Sequence, residues 1–525
     1  MSIEYEVQNN DIIEQSTITS RLIKSPTGIK GFDEITYGGL PQFRPTLVVG
    51  AIGCGKTFMA MEYIINGVIK YNEPGVFMTF EEKADELLVN VSNFTFDINK
   101  LVEDNKIYLE HLEIGHNVIK EAGTYKIDGL FVRLEQAIAK VKAKRVVLDS
   151  MDTLFGSLDT HILRSEFKRL FNWLKEKKVT AIVTAEVGNV FLTRMGLEEL
   201  IADCVIELSS RVTNQISTRR LRILKYRGSL HALNEYPFVI DENGMTVFPL
   251  VSQGISQKSS NEYISSGISK LDEMLANKGY YVGSSILISG TAGTGKSSIL
   301  ASFANDVCKK NQTCLFCAFE EAPNQIIRNM LSICLDLQIH LNSGKLEFYY
   351  ARPSLQNLEL HFMAIKEMIK KLNPSVILLD PITNLMTEGP NSDVRSMLTR
   401  FIDYLKTKQI TVMFSAAITI GSIARNPSDE GISSMVDSWI MLEDIELEGE
   451  RNRSMYVMKA RGMNHSKEVR EFVISSTGII LIPVARNKQG ILIGSKRIAA
   501  EIQNKLADKN QKIETEVAQE SSVIH

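Results

Sequence analysis

Hydrophobic residues along the chain follow two alternating patterns. Short and almost uninterrupted apolar runs, such as TLVVG, GVFMTF, RVVLDS and TAIVTAE, are typical of parallel strands that are buried on both faces. Longer segments with helical spacing of their apolar residues lie between these runs, for example TFMAMEYIINGVIKY and RSEFKRLFNWLKEKK. Because strands alternate with helices, the pattern predicts an α/β fold with a central, mostly parallel sheet.

The whole pattern occurs twice along the chain. TGIKGFDEITYGGL returns as SGISKLDEMLANKGY, LVVGAIGCGKTFMA as LISGTAGTGKSSIL, VFMTFEEKADELLVN as LFCAFEEAPNQIIRN, RVVLDSMDTL as VILLDPITNL, and LKYRGSLH as MKARGMNH. The order of the matches is the same in both copies, and the offset stays between about 231 and 240 residues. Two homologous modules of about 230 residues follow, each with its own sheet.

The repeat also sets the expected domain boundaries. We expect an N-terminal extension over residues 1–14, a first module over 15–251 and a second module over 264–485. The polar stretch SQGISQKSSNEY, residues 252–263, is typical of a linker. Residues 486–525 form a C-terminal tail.

Composition and charge exclude several classes of protein. The chain has 59 Lys and Arg against 62 Asp and Glu, a net charge of −3, so it lacks the strongly basic character of many nucleic-acid binders. No apolar run reaches the roughly 18 residues that a membrane span needs, and the acidic N-terminus is unlike a signal peptide. These features predict a cytoplasmic protein. The CxxC of Cys314 and Cys317 lies in a predicted strand, where the two side chains face opposite ways, which disfavours a metal site or a disulfide.

Both modules contain a phosphate-binding loop. Each GxxxxGK[ST] segment follows a predicted strand and precedes a predicted helix, which is the context that a P-loop requires. Backbone N–H groups of such a loop surround the phosphates, and its lysine reaches the β- and γ-phosphates. The predicted ATP-binding residues are Gly50, Gly53, Cys54, Gly55, Lys56 and Thr57 in the first module, and Gly290, Gly293, Thr294, Gly295, Lys296 and Ser297 in the second.

Two further strand ends provide candidate metal-binding groups. Asp149 and Asp380 each terminate an apolar run, at the position where P-loop enzymes carry the acid that supports Mg²⁺. The predicted metal-binding set is therefore Thr57 with Asp149 and Ser297 with Asp380, the aspartates acting directly or through water.

A pair of glutamates follows another strand in each module. Glu81 and Glu82 come after VFMTF, and Glu320 and Glu321 come after LFCAF. A carboxylate at the carboxyl end of a strand near a P-loop can polarise water or accept a hydroxyl proton. The alternative is a solvated pair of loop charges. The repetition favours catalysis, and the sequence leaves open which glutamate of each pair is the main base.

Two cations recur late in each module. Lys225 and Arg227, and likewise Lys459 and Arg461, are spaced so that both side chains would lie on one face of a strand. Such a pair suits a γ-phosphate, and an arginine-finger role would require supply from a neighbouring subunit. A merely basic edge strand is the alternative interpretation.

The double P-loop, the repeated FEE motif, the [LM]K-x-RG strands and the GFDE segment together resemble the KaiC family, the RecA-like ATPases and autokinases of the cyanobacterial circadian clock. The resemblance covers residues 15 to 485 approximately. It implies a homohexameric double ring with ATP between adjacent subunits, and it assigns all four cations, Lys225, Arg227, Lys459 and Arg461, to the neighbour's nucleotide.

The resemblance also implies phosphorylation sites. Ser433 and Ser434 match the adjacent Ser-Thr pair that the family autophosphorylates, with a serine where the second residue is usually threonine. Alignment of the two modules places Glu199 and Leu200 opposite this pair, so hydroxyl acceptors are expected only in the second module. Glu320 would then accept the proton of the acceptor hydroxyl.

The tail departs from the clock members of the family. It continues into an amphipathic stripe of Ile498, Ile502, Leu506, Ile513 and Val517, which resembles the extended tails of relatives outside the cyanobacteria. A packing helix and a helix that pairs two hexamers are equally consistent with this stripe. The difference argues against regulation by KaiA, whereas a KaiB-type partner on the first ring stays open.

Two other functional classes remain as alternatives. A RecA-like, DNA-dependent ATPase would need a basic surface that the overall charge does not supply. A signalling scaffold would assemble with ATP between its subunits and hydrolyse little of it.

Overall fold

A computed structural model describes residues 22–92, 94, 97–112, 128–155, 160–188, 192–193, 198–213, 216–248, 260–353, 358–386, 391–418, 434–447, 449–487, 490–504 and 506. The expected extension over 1–14, most of the expected linker and the end of the tail, including Ile513 and Val517, lie outside these residues. The chain divides into two compact units, the first made of Met1–Arg211 with Arg219–Val251 and the second of Val212–Thr218 with Ser252–His525.

The first unit contains strands and helices at the predicted places. Its strands are β1 (Lys24–Ser25), β2 (Leu40–Pro41), β3 (Pro45–Gly50), β4 (Gly75–Thr79), β5 (Ile107–His111), β6 (Arg145–Asp149), β7 (Thr180–Glu186), β8 (Cys204–Thr213), β9 (Ile216–Tyr226), β10 (Glu235–Asp241) and β11 (Gly244–Val247). Strand β8 belongs to this unit up to Arg211, and β9 belongs to it from Arg219 onward. Its helices are α1 (Phe32–Ile35), α2 (Lys56–Tyr71), α3 (Ala84–Val91), α4 (Ile98–Glu103), α5 (Asp128–Val141), α6 (Met151–Phe155), α7 (Thr160–Glu176) and α8 (Glu198–Ile201).

The second unit repeats this order. Its strands are β12 (Tyr263–Ile264), β13 (Tyr280–Tyr281), β14 (Ser285–Gly290), β15 (Cys314–Ala318), β16 (Leu346–Tyr350), β17 (Val376–Asp380), β18 (Thr411–Ala417), β19 (Ser438–Leu447), β20 (Glu450–Ala460), β21 (Arg470–Ser475), β22 (Gly478–Pro483), β23 (Ala485–Asn487) and β24 (Gly490–Leu492). Its helices are α9 (Ser269–Met274), α10 (Lys296–Lys309), α11 (Pro323–Leu331), α12 (Leu337–Asn342), α13 (Leu358–Leu372), α14 (Thr383–Met386) and α15 (Asn391–Thr407).

Each unit is built on a nine-stranded sheet. The first sheet has the order β11-β10-β9-β8-β3-β7-β6-β4-β5, and the second has the equivalent order β22-β21-β20-β19-β14-β18-β17-β15-β16. The strands from β8 to β5 and from β19 to β16 are parallel, and antiparallel strands extend each sheet at the other side. The predicted α/β class, with two mostly parallel sheets, is confirmed.

The cores lie on both faces of each sheet. In β3, Val48 packs with the cluster that contains α2, whereas Leu47 and Val49 pack with the cluster of α5 and α7 on the other face. All three side chains are fully buried. This double burial is the physical reason why the strands read as continuous apolar runs.

Residues of the tail form a helix over 494–504. Arg497 of this helix binds Glu471 of β21, with a distance of 2.7 Å between Nε and Oε2. Ile498, Ile502 and Leu506 are each about half exposed, at 50%, 53% and 56%. Of the described residues, no helix is both long and apolar enough to cross a membrane.

Candidate active site

The first phosphate-binding loop connects β3 to α2 at the carboxyl edge of the sheet. Gly53 and Gly55 have φ angles of 76° and 103°, a left-handed backbone that strongly favours glycine. Nζ of Lys56 donates hydrogen bonds to the carbonyl oxygens of Gly50, at 2.8 Å, and Ala51, at 3.1 Å. The lysine therefore lies over the concave side of the loop, where the phosphates of a nucleotide would bind.

The second loop, between β14 and α10, has the same geometry. Gly293 and Gly295 have φ angles of 81° and 97°. Nζ of Lys296 donates to the carbonyl oxygens of Gly290, at 2.9 Å, and Thr291, at 2.7 Å. Burial lowers the pKa of Lys296, and the nearby carboxylates of Asp380, Glu320 and Asp444 oppose that shift. A negatively charged phosphate would favour its protonated form.

The residues before the last glycine of each loop stabilise the loop. The hydroxyl of Thr294 donates to the carbonyl oxygen of Thr291 at 2.8 Å, and the backbone N–H of Cys54 donates to Ala51 at 3.3 Å. Burial raises the pKa of the Cys54 thiol, which keeps it protonated at neutral pH. Both side chains are fully buried, so they pack inside the protein beneath the loop.

The first helical turn of each P-loop helix lies next to a buried aspartate. The hydroxyl of Thr57 hydrogen-bonds Asp149, which also accepts a bond from Thr184. Ser297 hydrogen-bonds Asp380 in the same way, and Ser415 takes the place of Thr184.

Burial raises the pKa of both aspartates above the usual range. A buried carboxylate beside a hydroxyl is a hard oxygen donor set that fits Mg²⁺, whose charge would favour the ionised form. Thr57 with Asp149, and Ser297 with Asp380, are the residues that would hold the ion.

The two glutamates of the first module face different partners. Oε1 of Glu81 accepts hydrogen bonds from the hydroxyls of Ser150, at 2.8 Å, and Thr153, at 2.6 Å, directly after β6. Glu82 instead accepts a bond from Asn90 of α3, at 3.3 Å. Glu81 is therefore the glutamate that lies beside the aspartate of the site.

The two glutamates of the second module also face different partners, but the contacts of the first glutamate differ from those of Glu81. Glu321 accepts a bond from Asn329 of α11, at 3.1 Å, the counterpart of the bond between Glu82 and Asn90. Glu320 lies near enough to Lys296 to affect its pKa, yet its carboxylate accepts no hydrogen bond from any residue that the structure describes. The equivalents of Ser150 and Thr153 are Pro381 and Asn384, and neither supplies a hydroxyl.

The four predicted cations lie at the edge of the sheet where the parallel strands begin, opposite the edge that carries the P-loop. Nζ of Lys225 and Nη2 of Arg227 both donate to the carbonyl oxygen of Leu200, at 3.1 Å each. In the second module, Lys459 donates to Val436 at 2.8 Å and Arg461 to Ser434 at 2.9 Å. The lysines lie in β9 and β20, and the arginines directly follow these strands. Both strands are interior strands of the sheets, which excludes the interpretation as a basic edge strand.

An aspartate lies near each arginine at this edge, Asp203 at 3.8 Å from Arg227 in the first module and Asp437 in the second. Asp437 accepts a bond from the backbone N–H of Ser285, at 2.9 Å, so it lies at the beginning of β14. It also lies 2.8 Å from Lys406 and 4.0 Å from Arg461. Since the P-loop follows the other end of β14, five residues later, about 16 Å of strand separates Arg461 from its own loop. The cations and the P-loop of one module are therefore at opposite edges of the same sheet.

One of the two predicted acceptor serines falls in the described part of the chain. Ser434 is exposed, and its carbonyl oxygen accepts the bond from Arg461. Ser433 lies outside the described residues, as does the side chain of its counterpart Glu199. Arg227 and Arg461 bind the carbonyl oxygens of Leu200 and Ser434, so the structure aligns these two positions as the repeat does.

Comparison with known proteins agrees with the duplicated site. A family model for an ATPase, KaiC, matches residues 25–252 and 264–486. The chain belongs to the KaiC family of ATPases. Because this family hydrolyses ATP, membership in it implies that the two phosphate-binding loops bind ATP.

Curated KaiC proteins are similar over nearly the whole chain. The circadian clock protein KaiC2 of Synechocystis sp. is 45% identical over 480 residues, which cover 91% of this chain and 84% of the relative. The circadian clock oscillator protein KaiC of Parathermosynechococcus lividus is 35% identical over 92% of this chain and 90% of the relative. The KaiC of Synechococcus elongatus is 34% identical over 94% and 95%, respectively.

Sequence reasoning missed the groups that orient the predicted residues. Ser150 and Thr153 bind Glu81, and Asp437, which forms an ion pair with Lys406, lies near Arg461. The only signal in the sequence was the difference between SMDTL and PITNL after the two aspartates, and its meaning depends on which side chains meet in the fold.

Proposed function

We propose that this KaiC-family ATPase is a homohexamer in which each subunit's cations complete the neighbour's ATP site, and that its second module phosphorylates Ser433 and Ser434. The first module would hydrolyse ATP only. The names of the relatives refer to the circadian clock, and we extend this to a role in circadian-type or stress-related regulation.

One observation supports this proposal most directly. Ser434 lies on the edge of the sheet that carries Arg461, joined to it by the bond of 2.9 Å. Any nucleotide that Lys459 and Arg461 contact is therefore also brought close to Ser434. Because this edge is opposite the P-loop, that nucleotide belongs to another subunit.

The chemistry follows from the groups at the two edges. The hydroxyl oxygen of Ser434 would attack the terminal phosphorus of the neighbour's ATP, and ADP would leave. The hydroxyl proton would pass to the carboxylate of Glu320, which belongs to the subunit that holds the ATP. Lys296 from one side and Lys459 with Arg461 from the other would stabilise the charge on the transferred group. Bound Mg²⁺ would neutralise part of the phosphate charge.

The first module has the same cations but no hydroxyl at the aligned position, which is Leu200. Water would then be the nucleophile that attacks the terminal phosphate in the first module. Glu81, held through Oε1 by two hydroxyl groups, would use its other oxygen to orient that water.

The proposal is tested by incubating the purified chain with Mg-ATP and locating phosphate by mass spectrometry. We expect phosphate on Ser433 and Ser434, and its loss in Glu320→Gln, with hydrolysis by the first module retained. Glu321→Gln is the matched control, since its side chain binds Asn329, and it should keep most of the phosphate transfer. Phosphate only at other residues, or none while ATP is consumed, would refute the autokinase.

Assembly is tested separately by measuring mass in solution with and without ATP. We expect a hexamer with ATP and smaller species after its removal. A chain that stays monomeric in saturating ATP would contradict the completion of each site by a neighbour.

A further inference from the structure

The residue that precedes Glu320 is fixed at several points. The backbone N–H of Phe319 donates to the carbonyl oxygen of Asp380 at 2.8 Å. Its carbonyl oxygen accepts from Nδ2 of Asn384 at 3.4 Å. Phe319 is 2% exposed, so its ring lies inside the protein while Glu320 emerges at the site.

The ring of Phe319 packs edge-on against two polar aromatic side chains. Its centroid is 6.3 Å from that of Tyr349, at an angle of 73°, and 6.0 Å from that of His361, at 81°. Tyr349 comes from β16 and His361 from α13. Edge-to-face contacts of this kind restrict the orientation of a ring more than aliphatic packing does.

A hydrogen-bond chain fixes Tyr349 and His361 to each other. The tyrosine oxygen lies 2.8 Å from Nδ1 of His361, and Nε2 lies 3.4 Å from the carbonyl oxygen of Pro353. Because a carbonyl can only accept, Nε2 carries the proton, and Nδ1 accepts from the tyrosine hydroxyl. Burial raises the pKa of Tyr349 to about 12, which keeps that hydroxyl protonated. His361 is fully buried, so both bonds are shielded from water.

The first module lacks this pair. The strand register aligns Glu110 with Tyr349, since Glu110 pairs with Met78 as Tyr349 pairs with Cys317. Glu110 forms an ion pair with Arg133, at 2.6 Å. The repeat aligns Leu130 with His361, and Leu130 is an ordinary core residue.

The two modules thus hold their glutamates at different points. In the first, the carboxylate of Glu81 itself is bound by hydroxyl groups. In the second, the ring of Phe319 just before Glu320 packs against Tyr349 and His361, and the carboxylate stays available to a substrate. The backbone bond of Phe319 to Asp380 is common to both modules, since Phe80 makes the same bond to Asp149. A general base must be placed within hydrogen-bond reach of the proton that it abstracts, and it must also be able to receive it.

We propose that Tyr349 and His361 are positioning residues for Glu320, which hold Phe319 so that the glutamate faces the acceptor without binding its carboxylate. This inference rests on the proposed role of Glu320 as a base. It requires that loss of the pair slows chemistry in the second module more than it weakens ATP binding.

The test uses the full chain with Glu81→Gln, which suppresses the first module, and adds Tyr349→Phe or His361→Leu. Tyr349→Phe keeps the ring and removes only the hydroxyl, and His361→Leu installs the residue of the first module. Phosphate transfer, ATP hydrolysis and the Kd for ATP are measured for each. Tyr63→Phe in the first module is the matched control, since it also removes a buried tyrosine hydroxyl, bound to Thr180.

We expect kcat for both reactions to fall about fivefold in Tyr349→Phe and about tenfold or more in His361→Leu, because small displacements of a base have large effects on rate. The Kd for ATP should change less than about twofold, because the residues that the pair contacts, Phe319 and Pro353, lie outside the P-loop. The control should retain the rates of the parent.

Unchanged kcat in both variants would overturn the inference. So would a fall in kcat that is matched by the loss of folded or ATP-bound protein, since that result indicates a structural role only. If the parent transfers no phosphate but both variants lose hydrolysis in the second module, the autokinase proposal fails while the positioning role is supported.

Discussion

Each module has a P-loop with the same geometry, but the residues around the nearby glutamate differ between the two modules. Their lysines bind the same two loop carbonyls, at distances between 2.7 and 3.1 Å. After the aspartate, the first module has Ser150 and Thr153, which bind Glu81, and the second has Pro381 and Asn384, which do not bind Glu320. A few side chains behind the site therefore distinguish two modules whose motifs are identical.

Under the proposed function, the comparison teaches that one duplicated motif can serve two different reactions. A carboxylate that is already bound by two hydroxyl groups is well placed to orient water. In the proposed mechanism, a carboxylate without such bonds accepts the proton of a hydroxyl from a neighbouring subunit. The presence of Ser434, where the first module has Leu200, agrees with this division.

The largest effect is expected at the arginines. Arg227→Ala should lower ATP hydrolysis by the first module about a thousandfold, the usual contribution of an arginine finger. Arg461→Ala should instead remove phosphate from Ser434. The two rates are measured in Glu320→Gln and Glu81→Gln backgrounds, respectively.

Mixing variants decides whether the arginine acts between subunits. Lys56→Ala and Arg227→Ala are each expected to be inactive, but an interface between the two variants can combine the intact loop of one with the intact arginine of the other. Random mixing of equal amounts should restore about a quarter of the hydrolysis of the first module. A mixture that stays inactive would show that the arginine serves its own subunit.

The next effect concerns the dependence of stability on pH, which is expected to differ between the two P-loop helices, α2 and α10. Glu62 of α2 is buried, its Oε2 accepts from the N–H of Met245 at 2.7 Å, and burial raises its pKa from 4.5 to about 7 despite Lys70 and Lys30 nearby. A raised pKa means that the stabilising contribution is complete below pH 4.5 and is lost as the pH rises through about 7.

Glu62→Gln should therefore raise the free energy of unfolding at pH 8 by on the order of 2 kcal/mol and change it little at pH 5. Urea unfolding of the full chain at both pH values measures this. The second module has Ser302 at the aligned position, and Ser302→Ala should show no such dependence on pH. An equal effect of Glu62→Gln at both pH values would contradict the assignment.

A smaller effect is expected at the hydroxyl groups around Glu81. Loss of both, in Ser150→Ala with Thr153→Val, should slow hydrolysis by the first module about tenfold, because the carboxylate loses two oriented bonds. The reciprocal change, Pro381→Ser with Asn384→Thr, should slow phosphate transfer to Ser434 by engaging Glu320. If transfer keeps its rate in that variant, the contrast between a bound and an available carboxylate is wrong.

The smallest effect is expected at the second glutamate of each pair. Glu82→Gln and Glu321→Gln should change the rates about twofold at most, because an amide oxygen can still accept the bond from Asn90 or Asn329. Steady-state ATP hydrolysis and phosphate incorporation measure both. A loss of activity comparable to that of Glu81→Gln or Glu320→Gln would show that the other glutamate of the pair is the base.

Much of the fold could be predicted because its signals are local or repeated. The strand over Pro45–Gly50 and the helix over Lys56–Tyr71 follow from apolar periodicity and from the glycines between them. The predicted parallel sheets are confirmed, since continuous apolar runs such as that of β3 occur where both faces of a strand are buried. The repeat by itself aligns Leu200 with Ser434.

The positions of the glutamates could not be predicted in the same way. Glu81 and Glu82 are adjacent and chemically identical, and only the fold turns one toward Ser150 and the other toward Asn90. The partners come from β6 and α3, and neither distance is encoded in local spacing.

The sequence alone determined that this protein has two P-loops, two strand-end aspartates, two pairs of glutamates and two pairs of cations. These features depend only on residue type and on spacing along one chain. The tertiary structure decided that Arg461 lies beside Ser434 at the edge opposite its own P-loop, and that Tyr349 and His361 meet behind Glu320. The physical reason is that these contacts join strands and helices distant in sequence, whose approach is set by the packing of the sheet and not by any one segment.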